Sequence, residues 1–176
     1  AAKTLTDADN NIYGLDLPIY DKNGGYTWNW LPFLWQNGGE FLNDDRTEAV
    51  FNSPEGVEAL EFWKKMVQED KSVPLQAAPT GVNRFTSGIT AMVLDGPWSL
   101  NTFLSDPEFK DKFGVAPLPQ KKTRATVVGG EGVAVFSNTK SPQEAYDYLV
   151  HLTCSDFVQT FWAVSYTHLR AHETGR

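Results

Sequence analysis

Cysteine is almost missing from this sequence. With Cys154 alone among 176 residues, no disulfide can form within the chain, and a single thiol does not fix the compartment. No run of about 18 apolar residues exists, so the sequence offers no membrane-spanning helix. Positive charge is short as well: 15 basic residues face 22 acidic ones, for a net charge of −7. A nucleic-acid binder needs a basic face to neutralise phosphates, and anionic lipid attracts basic segments, so neither is a predicted partner. No G-x-S-x-G elbow, phosphate loop or dinucleotide fingerprint occurs, and "GGEG" at 129–132 is too short for one. His151 and Cys154 are three apart, but zinc needs further ligands and none are spaced for it. Asp7, Asp9 and Asn11 start like a calcium loop. The pattern then puts Ile12 where glycine is needed and Pro18 where glutamate is needed, so a plain turn is expected. No cofactor is predicted. The first residues, "AAKTLTDADN", carry neither an initiator Met nor a signal peptide, and read as the middle of a protein.

Aromatic residues, by contrast, are abundant: 13% of the chain, with six Trp. Three of these fall in "YTWNWLPFLWQNGGEF" (26–41), at 28, 30 and 35. Tryptophan joins a large apolar face to a polar N–H, so it serves ligand surfaces as well as cores. The spacing predicts a helix over 29–36 ending at Gly38-Gly39. A second helix should open with Ser53 as cap and Pro54 at its first position, burying Val57, Leu60, Trp63 and Val67, flanked by Ala59, Phe62 and Met66. Short strands are expected at 13–17, 90–95, 114–117 and, interrupted by glycine, 127–137. Further helices are expected at 99–104, after Asp106-Pro107, from a Ser141/Glu144 capping box to about Thr153, and from Phe157 onward. "KKTRAT" (121–126) reads as a solvated basic loop. Helices alternating with strands predict an α/β fold.

Two constellations could carry function. Asp95 and Glu131 each adjoin glycines at predicted strand ends, and paired carboxylates are what a glycoside hydrolase requires. Alternatively, the aromatics form a surface for flat ligands. Trp98 follows a strand and a Gly-Pro break, placing an indole at a strand's carboxyl end, where open α/β sheets bind ligands. Trp28 and Trp30 are two apart and face different ways, so both in the core is not expected; Trp30 stays open between core and ligand. Trp35 and Trp63 read as core. An indole face suits the C–H face of a sugar ring.

At the end of the chain, His168 and His172 have a helical metal-ligand spacing. Yet Val164–Thr174 resembles the in-frame translation of a sequencing adapter used for transposon-based DNA libraries. Residues 164–176 are therefore set aside as a non-native tail.

Taken together, "NGG" (37–39), "FNSPEGVEALEFWKKM" (51–66), "FTSGITAMVLDGPW" (85–98), "FGVAPLP" (113–119) and "VVGGEGVAVFSNTKSPQEAYDYL" (127–149) resemble family 1 extracellular solute-binding proteins of ABC importers, the maltodextrin- and oligosaccharide-binding members above all. The likeness covers nearly all of 1–163. It implies a type II periplasmic-binding-protein fold of two α/β lobes closing on a sugar. Residues 1–127 would form most of the second, C-terminal lobe and 128–163 an incomplete return into the first. It implies an extracytoplasmic monomer handing an oligosaccharide to ABC permease subunits, and no enzyme activity. A glycoside hydrolase using Glu131 and Asp95, or a lectin-like module, is the alternative. The resemblance puts Trp98 on the family's sugar-stacking Trp, Trp28 near the stacking aromatic before "GG", Tyr26 where relatives place a polar contact, and Gly130 and Glu131 in a cleft-facing loop.

Overall fold

The computed structural model describes residues 1–17, 19, 25–129 and 132–156, with Gly25 and Tyr26 as backbone only. The helix predicted from Phe157 and the 164–176 tail lie outside them. The chain packs as two units, Ala1–Val128 and Gly129–Arg176.

Unit 1 is organised by two helices. α1 spans Gly25–Gln36, four residues longer at its start than predicted, so Pro32 falls in its interior. Proline has no N–H for the Trp28 carbonyl, so the first turns of α1 depend on packing rather than on a full hydrogen-bond ladder. Its end is as expected: Gly38 takes φ +83°, its N–H donates to Trp35 (2.9 Å), and the Gly39 N–H donates to Leu34 (3.0 Å), a Schellman closure. α2 spans Pro54–Lys64 and continues as a π turn through Glu69. The Ser53 hydroxyl accepts from the Gly56 N–H at 3.2 Å, as the predicted cap should.

Between these helices lies the core: Leu17, Trp30, Leu34, Ala59, Trp63, Met66 and Val73. The buried stripe of α2 is thus Gly56, Ala59, Trp63 and Met66. Val57, Leu60 and Phe62, placed inside by the sequence, are exposed. The close approach of Gly56 explains the rotation. A Cβ there would overlap the Phe51 carbonyl oxygen and lie 3.5 Å from Leu34, so the glycine edge, not the bulkiest edge, faces α1. Trp35, expected to be core, is only half-buried.

The predicted strands at 13–17 and 90–95 do meet, as parallel bridges Tyr13–Thr90 and Asp16–Val93, with Tyr13 N–H to Ile89 (2.8 Å), Ala91 N–H to Tyr13 (2.9 Å) and Asp16 N–H to Met92 (2.8 Å). Arg84, buried, pairs with Asp16 at 3.3 Å beneath this ladder. Among the described residues, pairing goes no further than four isolated bridges. The segments 114–117 and 132–136 run unpaired in strand terms, since a strand needs a neighbouring edge and no described segment supplies one. The early acidic run is a plain turn, with Asp7 bridged to Ile12 and bonded to the Asn10 amide at 2.8 Å.

After the ladder come a 3-10 turn, Pro97–Ser99, and the short α3, Leu100–Ser105. Asp106–Lys112 forms hydrogen-bonded turns rather than the predicted helix. Phe85, Phe103, Phe109 and Phe113 pack edge-on and stacked around α3, with centroids 5.1–6.0 Å apart. In unit 2, α4 spans Pro142–Cys154, close to the predicted limits. Ser141 precedes it without a side-chain cap bond, so the expected capping box is not formed.

Candidate functional site

The site candidates fall on two segments of unit 1 tied to one core. α1 is held by Trp30 and Leu34; the 90–98 segment is held by Leu94, which packs on the same cluster. From these anchors two indoles emerge. Trp28, on the first turns of α1, is 40% exposed, and Trp98, in the turn before α3, is 60% exposed. Such exposure is uncommon for a residue with so large an apolar face.

Trp30 is different. It is 7% exposed, its ring meets Phe51 edge-on at 6.2 Å, and it belongs to the core cluster. Its candidacy as a ligand ring is corrected accordingly: one helical position two residues on from Trp28 turns the side chain inward. Tyr26 sits in the first turn of α1 and is described by its backbone alone. Gly130 and Glu131 lie outside the described residues.

Around Trp98 the geometry is specific. Pro97 forces the residue before it into an extended conformation, and Gly96 has φ −108° and ψ 176°. The Trp98 ring folds back over Gly96. A Cβ on Gly96 would overlap Cη2 and Cζ3 of the indole and lie 2.5 Å from Cε3. The Asp95 carboxylate accepts from the Gly96 N–H at 2.8 Å through Oδ1 and from the Ser99 hydroxyl through Oδ2. These contacts were missed in the sequence, where Asp95 read as one of a carboxylate pair with Glu131. The signal available was "DGPWS" itself, with acceptor and hydroxyl flanking a Pro-initiated turn.

The basic loop is solvated at its side chains, as expected, and docked through its backbone. The Gln36 carbonyl, at the end of α1, accepts from the Lys122 N–H (2.8 Å) and the Thr123 N–H (3.2 Å), and the Gln36 amide donates to Ala125 (2.8 Å). Lys121 pairs with Glu58, and Asn37 donates to Glu58 at 2.8 Å. Lys121 and then Asn37 hold the Glu58 carboxyl below its ordinary range. Residues 121–125, which lead toward unit 2, are thereby fastened to both helices of unit 1.

No described group of His, Cys, Asp and Glu could hold a metal ion. Among the described residues, no helix is long and apolar enough to cross a membrane.

The described fold joins helices to two parallel bridges, with Trp98 just beyond the carboxyl end of the 90–95 segment and Trp28 on α1. Residues 3–170 match the family of bacterial extracellular solute-binding proteins, and the chain belongs to it. This is a family of binding proteins, not enzymes. The chain is similar to the lactose-binding protein of Rhizobium radiobacter, 26% identical over 148 residues, covering 81% of this chain and 34% of the relative. Among solved structures it is similar to an ABC transporter solute-binding protein from Thermotoga lettingae bound with α-D-tagatose (TM-score 0.80, 30% identity, 95% of this chain, 43% of that one). It is also similar to maltose-bound MalE3 of T. maritima (TM-score 0.73, 27% identity, 94% and 44%). The chain thus spans about a third of the lactose-binding relative and about two-fifths of the two solved structures.

Proposed function

We propose that unit 1 supplies one wall of the sugar site of an importer's receptor, with Trp28 and Trp98 as stacking rings. The reading rests on one observation: two indoles stand in solvent on segments fixed by a single core, in a chain of the solute-binding family. Aromatic faces stack on the C–H face of a pyranose, and polar groups beside them hold its hydroxyls. The names of the relatives, which carry lactose, maltose and tagatose, support a neutral saccharide as the ligand class, and a maltodextrin-like oligosaccharide is the ligand we put first. The acidic surface suits an uncharged ligand.

In the full receptor, unit 1 corresponds to most of the second lobe of an α/β two-lobed trap, and unit 2 to the return into the first. Closure on the sugar is a population shift driven by contacts with both lobes, and the closed form is what ABC permease subunits receive outside the cytoplasm. Tyr26, Gly130 and Glu131 remain candidate polar contacts. The hydrolase alternative loses its basis, because both oxygens of Asp95 are engaged within its own turn and the family is not enzymatic.

Titration with maltotriose and with lactose, followed by tryptophan fluorescence, tests the reading. A saturable change that Trp28→Ala and Trp98→Ala each weaken supports it. Unchanged affinity in both variants would overturn it.

A further inference from the structure

We propose that Asp95 and Gly96 are positioning residues for Trp98: the carboxylate braces the turn that carries the ring, and the glycine is the seat on which the ring lies. This deepens the sugar-stacking reading and rests on it for its functional consequence.

Three observations carry the inference. First, Asp95 bridges the two ends of the turn, one oxygen on the Gly96 N–H and the other on the Ser99 hydroxyl. With the Ser99 N–H also donating to the Gly96 carbonyl at 3.2 Å, the backbone on both sides of Trp98 is pinned. Second, Gly96 has no conformational need to be glycine. Its φ of −108° is open to any residue, so the requirement is space, and the atoms occupying that space are the six-membered ring of Trp98. Third, the ring remains 60% exposed although it is seated. One part of the indole is applied to the backbone and the rest faces solvent. A solvent-exposed Trp without such a seat samples several rotamers, and fixing one on binding costs free energy. The brace and seat lower that cost in advance.

The geometry also separates the roles. Asp95→Asn keeps one acceptor oxygen in place of two; Asp95→Ala keeps none. Gly96→Ala leaves the brace but fills the seat, and because the ring is exposed it can swing away without unfolding the chain.

Fluorine NMR on the 176-residue chain labelled with 5-fluorotryptophan tests this, with Trp98→Phe assigning the resonance. Asp95→Ala and Gly96→Ala should each shift or broaden the Trp98 signal and leave that of core Trp30 in place, and Asp95→Asn should restore part of what Asp95→Ala loses. Maltotriose titration, carried into the millimolar range, should weaken by about 2- to 10-fold in the first two variants, the equivalent of one immobilised side chain. Melting temperatures should stay together, which a merely structural role would not produce. A Trp98 resonance indifferent to both substitutions would overturn the proposal. Resonances that move as expected in a chain whose parent shows no response to maltotriose or lactose would uphold the brace and remove the sugar-stacking reading instead.

Discussion

At the residue scale, the tryptophans divide by what surrounds them. Trp30 and Trp63 are spent on the core, while Trp28 and Trp98 stand in solvent. Trp30→Ala should therefore cost about 3–5 kcal/mol of stability, the range for emptying a buried aromatic site. Trp28→Ala and Trp98→Ala should each stay within about 0.5 kcal/mol of the parent. Urea unfolding checks both, and equal losses for Trp30→Ala and Trp98→Ala would contradict the assignment. The neighbouring glycines divide by cause as well. Gly38 is needed for its φ of +83°, since an added Cβ meets only the flexible Lys122 side chain, no nearer than 3.4 Å. Gly39 is needed for space, because a Cβ there overlaps Leu34 Cδ1 and lies 3.0 Å from Glu55. Gly38→Ala should cost about 1–2 kcal/mol, the left-handed penalty. Gly39→Ala should cost more, because it pushes a fully buried core leucine. Denaturant midpoints would rank the two.

At the element scale, α1 is the link between site and connection. Its first turns carry Trp28, and its last carbonyl receives the Lys122 and Thr123 N–H groups. These two amides should be protected from hydrogen exchange, although their side chains lie at the surface. The Lys121–Glu58 pair gives the attachment a pH dependence whose sign is fixed. Glu58 titrates lower in the fold than when free, so its contribution is present above the unfolded value of about 4.3 and is lost as pH falls through the lower folded value. Protection factors for Lys122 and Thr123 should be flat from neutrality to about pH 4.5 and fall below it. In Glu58→Gln they should already be reduced at neutral pH. An acid-insensitive protection pattern would show that the two backbone bonds alone hold the segment. The start of α2 and the end of α1 were legible here, since Ser53, Pro54 and the paired glycines act within a few residues. The docking of 121–125 was not, because charge in a sequence reads as solvated until a partner about 60 positions away is placed beside it.

At the scale of the molecule, the two units differ in how much they bury. Unit 1 has a continuous core; unit 2 has no buried side chain among its described residues, and Phe136 there is 80% exposed. Residues Ala145, Tyr148 and Leu149 of α4 instead line an open apolar groove with 133–136. Amides of α4 should exchange faster than those of α2, with unit 2 unfolding first in urea and binding the dye ANS under native conditions. A single transition for both units would refute this. Because the chain supplies one wall of the proposed site, maltotriose should bind weakly, at millimolar rather than micromolar concentration, about 4 kcal/mol of binding free energy. Micromolar affinity by calorimetry would overturn that expectation.

The sequence by itself determined the family, the helix α2 with its Ser53 cap, the end of α1, the approximate span of α4 and the two exposed indoles as candidates, because order and spacing of short motifs survive without coordinates. The pairing of 13–17 with 90–95 was half legible: both runs looked extended, but only the fold brought Tyr13 to Thr90 and Asp16 to Val93. Tertiary structure alone decided that Trp30 turns inward, that α2 buries its glycine edge while Val57 and Leu60 stay outside, and that Asp95 spends both oxygens within its own turn. The physical reason is the same in each case. Hydrophobicity and charge say what a side chain prefers, but which neighbour reaches it first is a matter of close packing, settled only when distant segments occupy the same space.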